Sequence, residues 1–179
     1  DMTTYTTELN GHTLLLRTPT EDDAQIMVDL FKLVNGETPY LMREPEEADM
    51  PLEEEASFIR SMNSSEANVM LLAFYDGAYI GNCSLMGSGL SRSRHRATLG
   101  IALLQKYTGL GIGRIMIERL FALGREMGLE QIELDVVTTN TRAISLYMKL
   151  GFEVCGMLPH SMKYRDGSYA GEYRMVKTL

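Results

Sequence analysis

Residues His95–Arg114 read HRATLGIALLQKYTGLGIGR. Within them an apolar, β-prone run, Ala97 to Leu104, leads into a polar joint, Gln105-Lys106-Tyr107-Thr108. Three glycines follow at alternate positions, Gly109, Gly111 and Gly113. Ile112, Ile115, Met116, Leu120, Leu123 and Met127 then recur at helical spacing, so the stretch predicts strand, glycine-rich turn and helix. Glycine lets successive backbone N–H groups crowd toward one point, because no Cβ blocks the approach. The first helical turn has N–H groups without intrahelical partners, and the helix dipole there favours negative charge. A strand that delivers such a turn to a helix start is a phosphate cradle. The plainer alternative is a tight turn that only packs helix against strand.

Two familiar cradles are excluded. A dinucleotide fingerprint requires a sixth-position glycine, and counting from Gly109 that position is Arg114. A nucleoside-triphosphate loop ends in Gly-Lys-Ser/Thr, whereas this run ends Gly113-Arg114-Ile115. The chain of 179 residues predicts one domain, 1–179, with enough length for a sizeable core. No apolar run reaches the roughly 18 residues of a membrane span. Asp1 precedes Met2, so Met2 is the expected natural start, and the first residues lack the pattern of a secretory signal. Cys83 and Cys155 form no framework and predict reduced thiols in a cytoplasmic setting. His12, His95 and His160 lack metal-ligand spacing, so no metal is expected. The net charge of -7 argues against nucleic-acid binding. Against it, Arg92, Arg94, His95 and Arg96 form a basic cluster, either a solvated loop or an attractor for a polyanion.

Around this centre, Leu14–Arg17 predicts a first strand. A helix carries Ile26, Met27, Leu30, Phe31 and Val34 inward and ends at Asn35-Gly36. Glu37–Glu47 has no period and reads as a loop, and Pro51 opens a second helix, Leu52 to Asn63. Val69–Tyr75 and Tyr79–Met86 are strands joined at Asp76-Gly77, a hairpin signal. Beyond the glycine turn and its helix, Gln131–Val137 alternates as a fifth strand. Asn140 caps a helix with Ala143, Leu146, Tyr147 and Leu150 on one face. Phe152–Gly156 and Tyr173–Lys177 close the chain. The expected order is β-α-α-β-β-β-α-β-α-β-β.

The run Thr108-Gly109-Leu110-Gly111-Ile112-Gly113 resembles the pyrophosphate loop of the GCN5-related N-acetyltransferases, Gln/Arg-x-x-Gly-x-Gly/Ala, with Thr108 where the family prefers a longer polar side chain. The run NTRAISLYMKLGF, Asn140–Phe152, is similar to that family's second signature at Asn140, Ala143, Leu146, Tyr147, Lys149, Gly151 and Phe152. The two motifs stand one helix and one strand apart, as in that fold. The resemblance implies an α/β (α+β) fold with a mixed sheet of about seven strands and about four helices. In that fold the sheet is splayed between the fourth and fifth strands. It implies acetyl transfer from acetyl-CoA to a primary amine, of a small molecule or of a protein or peptide. The pantetheine arm would pair with Ile101, Ala102 and Leu103. The diphosphate would lie on Thr108, Gly109, Leu110, Gly111, Ile112, Gly113 and Arg114, with Asn140, Tyr147 and Lys149 also at the cofactor. Many relatives pair as homodimers, and nothing in the sequence marks the surface.

The chemistry sets its own demands. A lysine-like amine is neutral in only roughly one molecule in 2,500 at pH 7, and an α-amine in about one in ten, so a base or water chain is required. A thiolate leaving group needs only a weak acid, and the family position assigns that role to Tyr147. Its apolar neighbours allow a packed aromatic instead. Asn140 reads as helix cap, cofactor contact or both, and Arg114 as phosphate partner or exposed helix residue. Lys106 or Arg114 are the sequence's candidates for the cation that Thr108 lacks. Glu133, Asp135, Glu37, Glu44 and His95 are the candidate bases, with ordered water as the alternative. The loop with Glu37, Glu44, Glu46 and Glu47 suits a cationic acceptor, though Arg43 could hold a carboxylate. A non-catalytic acyl-CoA-binding module would keep the glycine turn but need no acid at Tyr147.

Overall fold

The computed structural model describes residues 3–179; Asp1 and Met2, and with them the expected start at Met2, lie outside the described residues. The elements run β1 (Thr4–Leu9), β2 (His12–Arg17), α1 (Ala24–Glu37), α2 (Leu52–Ser64), β3 (Asn68–Tyr75) and β4 (Ala78–Gly87). They continue with β5 (Arg96–Leu103), α3 (Ile112–Glu126), β6 (Gln131–Val137), α4 (Thr141–Lys149), β7 (Glu153–Lys163) and β8 (Tyr169–Thr178). One sheet takes the order β1-β2-β3-β4-β5-β6-β8-β7. Its neighbours are antiparallel except β5 and β6, which are parallel.

The sheet has eight strands rather than seven. The added strand is β1, turned into β2 at Asn10-Gly11 with positive φ at both residues, 55° and 77°. That dipeptide is a hairpin signal. Its strand, TYTTEL, on a sheet edge, exposes Thr4, Thr6 and Glu8 and only half-buries Tyr5, Thr7 and Leu9, so with a threonine on the inner face it carries little apolar period. The strands expected as fourth and fifth are therefore β5 and β6. Helix α1 runs through Asn35-Gly36 to Glu37, because Asn35 turns its amide back on Phe31 O (2.7 Å) rather than capping the end. Strands β7 and β8 extend beyond the expected Phe152–Gly156 and Tyr173–Lys177, with register shifts at Val154/Gly156 and Leu158/Met162.

Two apolar layers sandwich the sheet, and β3 shows why. Leu71 joins the layer under α3 and α4, with Met116, Leu120, Ile132, Tyr147 and Phe152. Its neighbours Met70 and Leu72 face α1 and α2, packing with Met27, Ile59 and Met62. Successive strand residues point to opposite faces, so a strand buried on both sides reads as a continuous apolar run. Fully burying one such aliphatic side chain stabilises the fold by about 1.5–3 kcal/mol. No helix among the described residues is long and apolar enough to cross a membrane.

The sheet splits between β5 and β6. They pair only at Arg96↔Gln131, Ala97↔Ile132 and Thr98↔Glu133. Beyond that rung β5 continues on β4 to Gly81↔Leu103, and β6 continues on β8 to Val137↔Glu172. The last shared rung is held by charge. Buried Glu133 accepts from Arg96 at 2.6 Å and from Arg174 at 3.4 Å, while Arg174 also grips Asp135 at 3.0 and 3.1 Å. A carboxylate taken out of water needs such partners, because unpaired burial would cost several kcal/mol.

Candidate active site

The site is assembled where β5, the glycine turn and α4 meet. Leu104 N–H donates to Ile80 O of β4 (2.9 Å). Antiparallel alternation then turns the main-chain groups of Ala102 toward β4 and those of Ile101 and Leu103, beyond the last β5–β6 rung, into the gap. With β6 gone from that side, the gap-facing groups have no strand partner. The open edge is a template for an extended ligand with amide groups.

The joint that follows is fixed by local bonds. Thr108 N–H donates to Gln105 O at 3.1 Å, and the Thr108 hydroxyl donates to the same oxygen at 2.6 Å. Glu37 at the end of α1 accepts from Gln105 N–H at 2.9 Å. Gly109 and Gly111 lie at φ +76° and +88°, conformations that L side chains rarely adopt. Among the described residues, none of the consecutive N–H groups from Gly109 to Arg114 donates to a protein acceptor. This row of donors sits at the start of α3, where the helix dipole adds positive potential. The β1–β2 tip braces the turn: Asn10 Nδ2 donates to Leu110 O at 3.0 Å.

Helix α4 closes the other side. Asn140 accepts from Ala143 N–H at 3.4 Å, so it caps the helix as expected. An added Cβ on Gly113 would lie 3.6 Å from Leu146 and 3.9 Å from Ile101, which shows how tightly α4, α3 and β5 converge. Arg142, in the first turn of α4, reaches across the turn: its Nη1 donates to Thr108 Oγ1 at 2.5 Å. Neither Lys106 nor Arg114 occupies that position. Lys106 lies over the Tyr107 ring, and Arg114 pairs with Glu118 one helical turn on at 2.9 Å. Arg142 was not among the sequence-derived candidates, although it stands inside the quoted Asn140–Phe152 run. Only its reach to Thr108 marks it.

Tyr147 is buried against Phe152, ring to ring at 5.8 Å, and burial pushes its hydroxyl up to about 12. Among the described residues the hydroxyl has no partner, yet its oxygen is not sealed from the surface. Lys149 lies exposed at the far end of α4, about 12 Å along the axis from Thr141, so the structure does not bring it to the turn. The candidate bases are mostly committed elsewhere. Glu133 and Asp135 hold arginines, and Glu37 holds the Gln105 amide. Glu44 faces Arg165 at 3.8 Å, whereas His95 is engaged only through its main-chain carbonyl, by the Glu130 and Gln131 N–H groups, and its imidazole has no bond among the described residues. Of the basic cluster, Arg96 is ion-paired while Arg92 and Arg94 stay exposed.

Two clefts adjoin at Ser161. One, about 500 Å³, lies between residues 35–45 and Ser161–Tyr164. The other, about 290 Å³, is lined by Asp135, Gly156, Met157, Leu158, Ser161, Glu172 and Arg174. The loop after α1 is tied across the first by Tyr164, whose hydroxyl donates to Pro39 O at 2.7 Å, and by Tyr40, which donates to Thr139 O at 3.4 Å.

A row of unsatisfied amides under one guanidinium, opening onto an unpaired strand edge, is built for a ligand with a diphosphate and an amide-bearing arm. The Acetyltransferase (GNAT) family profile matches residues 28–152, and the chain belongs to that family. An acetyltransferase of the GNAT family from Streptococcus pneumoniae superposes with a TM-score of 0.88 at 28% identity, covering 93% of this chain and 99% of that one. The yncA protein of Salmonella typhimurium, solved with its cofactor acetyl-CoA, shares the fold with a TM-score of 0.81 at 16% identity, over 93% and 94% of the two chains. The L-amino acid N-acetyltransferase AaaT of Escherichia coli (strain K12) is 28% identical over 110 residues, 60% of this chain and 66% of AaaT. An N-alpha-acetyltransferase of Sulfurisphaera tokodaii is 37% identical over 82 residues, 45% of this chain and 47% of that protein. The chain thus spans about two thirds and about half of these curated relatives.

Proposed function

We propose that this protein is an acetyl-CoA-dependent N-acetyltransferase whose acceptor is a primary amine, of a small molecule or of a peptide. The observation that carries the reading is the row of partnerless N–H groups from Gly109 to Arg114, overhung by Arg142 and continuous with the open edge of β5. The diphosphate rests on those amides, and Arg142 supplies the cation that the Gln/Arg position, here Thr108, lacks. The main-chain groups of Ile101 and Leu103 pair with the pantetheine arm. Acetyl-CoA supplies the activated acyl group.

The protein's part in the chemistry is placement and proton handling. A gap-facing N–H of β5, that of Ile101, stabilises the charge that develops on the thioester oxygen. Tyr147 donates its proton to the departing sulfur. With a pKa of about 12 it holds that proton throughout the neutral range. A free thiol near 8.5 would be a weak taker, but the same enclosed surroundings that raise the tyrosine also raise a thiolate beside it. Net transfer converts an ammonium and acetyl-CoA into an amide, CoA thiol and one released proton.

The test is free-thiol release from acetyl-CoA with glycine, spermidine, kanamycin and an alanyl peptide as acceptors. Saturable release with at least one of them, together with acetyl-CoA binding, is the expected result. Acetyl-CoA binding with no turnover across such a panel would instead favour a binding module.

A further inference from the structure

The face of the sheet that carries Glu133 and Asp135 continues upward, at strand alternation, to Glu172 on β8. Register pairs Asp135 with Arg174 and Val137 with Glu172, and β7 sets Leu158 beside Glu172. Glu172 therefore stands at the last rung of β6, at the open end of the split. The two carboxylates below it are neutralised: Glu133 by Arg96 and Arg174, Asp135 by Arg174. Glu172 has no cationic partner among the described residues. Its one side-chain bond is from the Ser161 hydroxyl to Oε1. Among the described residues its Oε2 has no donor, yet it is not sealed from the surface. Glu172 lines the smaller cleft, and Ser161 lines both clefts, so the carboxylate sits at their junction. Tyr164 in the larger cleft is near enough that its hydroxyl is held up, after burial and Tyr40, by the Glu172 charge.

Resting on the acetyl-transfer reading above, we propose that Glu172, oriented by Ser161, is the carboxylate that receives the acceptor's ammonium group. A half-buried carboxylate with an open oxygen and no cation is the complement of a primary ammonium, and charge-assisted bonds of this kind are among the strong ones. It holds the amine at the split. One ammonium proton leaves through water to solvent, the nitrogen forms the C–N bond as the C–S bond breaks, and the second proton returns through water to Tyr147 in place of the one it gives up. The sulfur takes its proton from Tyr147. Glu172 is thus an acceptor-binding residue and not a ligand of acetyl-CoA.

The experiment compares wild type with Glu172→Gln, Ser161→Ala and Glu126→Gln, using whichever of spermidine, glycine, kanamycin or an alanyl peptide is turned over. Glu172→Gln raises the acceptor KM about 10- to 100-fold while the acetyl-CoA Kd stays at the wild-type value. Ser161→Ala shifts the same KM in the same direction by less. Glu126→Gln, an exposed carboxylate at the end of α3 that lines neither cleft, leaves it within about twofold. Wild-type turnover with an unchanged acceptor KM in Glu172→Gln overturns the assignment and leaves the acetyl-transfer reading standing. A wild-type protein that binds no acetyl-CoA overturns both.

Discussion

Removing the Arg142 guanidinium tests the cradle directly. In the structure its Nη1 is 2.5 Å from Thr108 Oγ1 and 3.8 Å from where a Gly109 Cβ would stand, over the row of open amides. A charge-assisted bond to a phosphate is worth about 1.5–3 kcal/mol when shielded. Arg142 is exposed, so screening reduces that to about 1–2 kcal/mol, or a 5- to 30-fold weaker Kd for CoA in Arg142→Ala. The loss should shrink as salt is raised. Fold stability should move the other way. A cation in the first turn of a helix opposes the dipole by about 0.3–1 kcal/mol, so the alanine variant keeps or slightly gains Tm. Titration calorimetry with CoA and with pantetheine separates the terms, because pantetheine has the arm but no diphosphate. An unchanged CoA affinity, or an equal loss for pantetheine, would refute the placement of the diphosphate beneath Arg142.

Tyr147→Phe is expected to lower kcat roughly ten- to a thousand-fold with the acetyl-CoA Kd little changed, and an unaltered kcat would remove the hydroxyl from the mechanism. Gly111→Asp forces a side chain onto φ +88° and sets a like charge at the phosphate position, so CoA binding should fail; a normal Kd would contradict the cradle. Burial raises the Glu55 carboxyl on α2, so its proton is held more tightly folded than unfolded. That contribution is present below the ordinary carboxylate range and is lost as pH rises through the raised value. Glu55→Gln should therefore melt above wild type at pH 7 and converge with it near pH 4, and equal melting curves at pH 7 would sink the reasoning.

The elements were legible wherever a single segment carries its own periodicity. Leu71–Leu72 on β3 and the Ile112–Met127 stripe on α3 record burial at spacings the backbone imposes. The Asp76-Gly77 turn shows the positive φ values that its dipeptide favours, 48° and 83°. The Asn10-Gly11 turn carried the same kind of signal, but its outer strand is too threonine-rich to show an apolar alternation. The glycine turn and the Tyr147 helix were legible as motifs because their residues are neighbours in sequence.

What the chain alone determined, then, is the set of strands, helices and turns, and the two motif segments that name the family. These follow from interactions between residues a few positions apart. Only the tertiary structure decided which charges are spent and which stand open. Arg142 meets Thr108 across 34 positions, Asn10 meets Leu110 across 100, and Arg174 neutralises Asp135 across 39. Those pairings depend on where β5 and β6 part and on which rung of β8 lies beside each residue. Such geometry has no local trace, because Coulomb and hydrogen-bond energies act through space and not along the sequence.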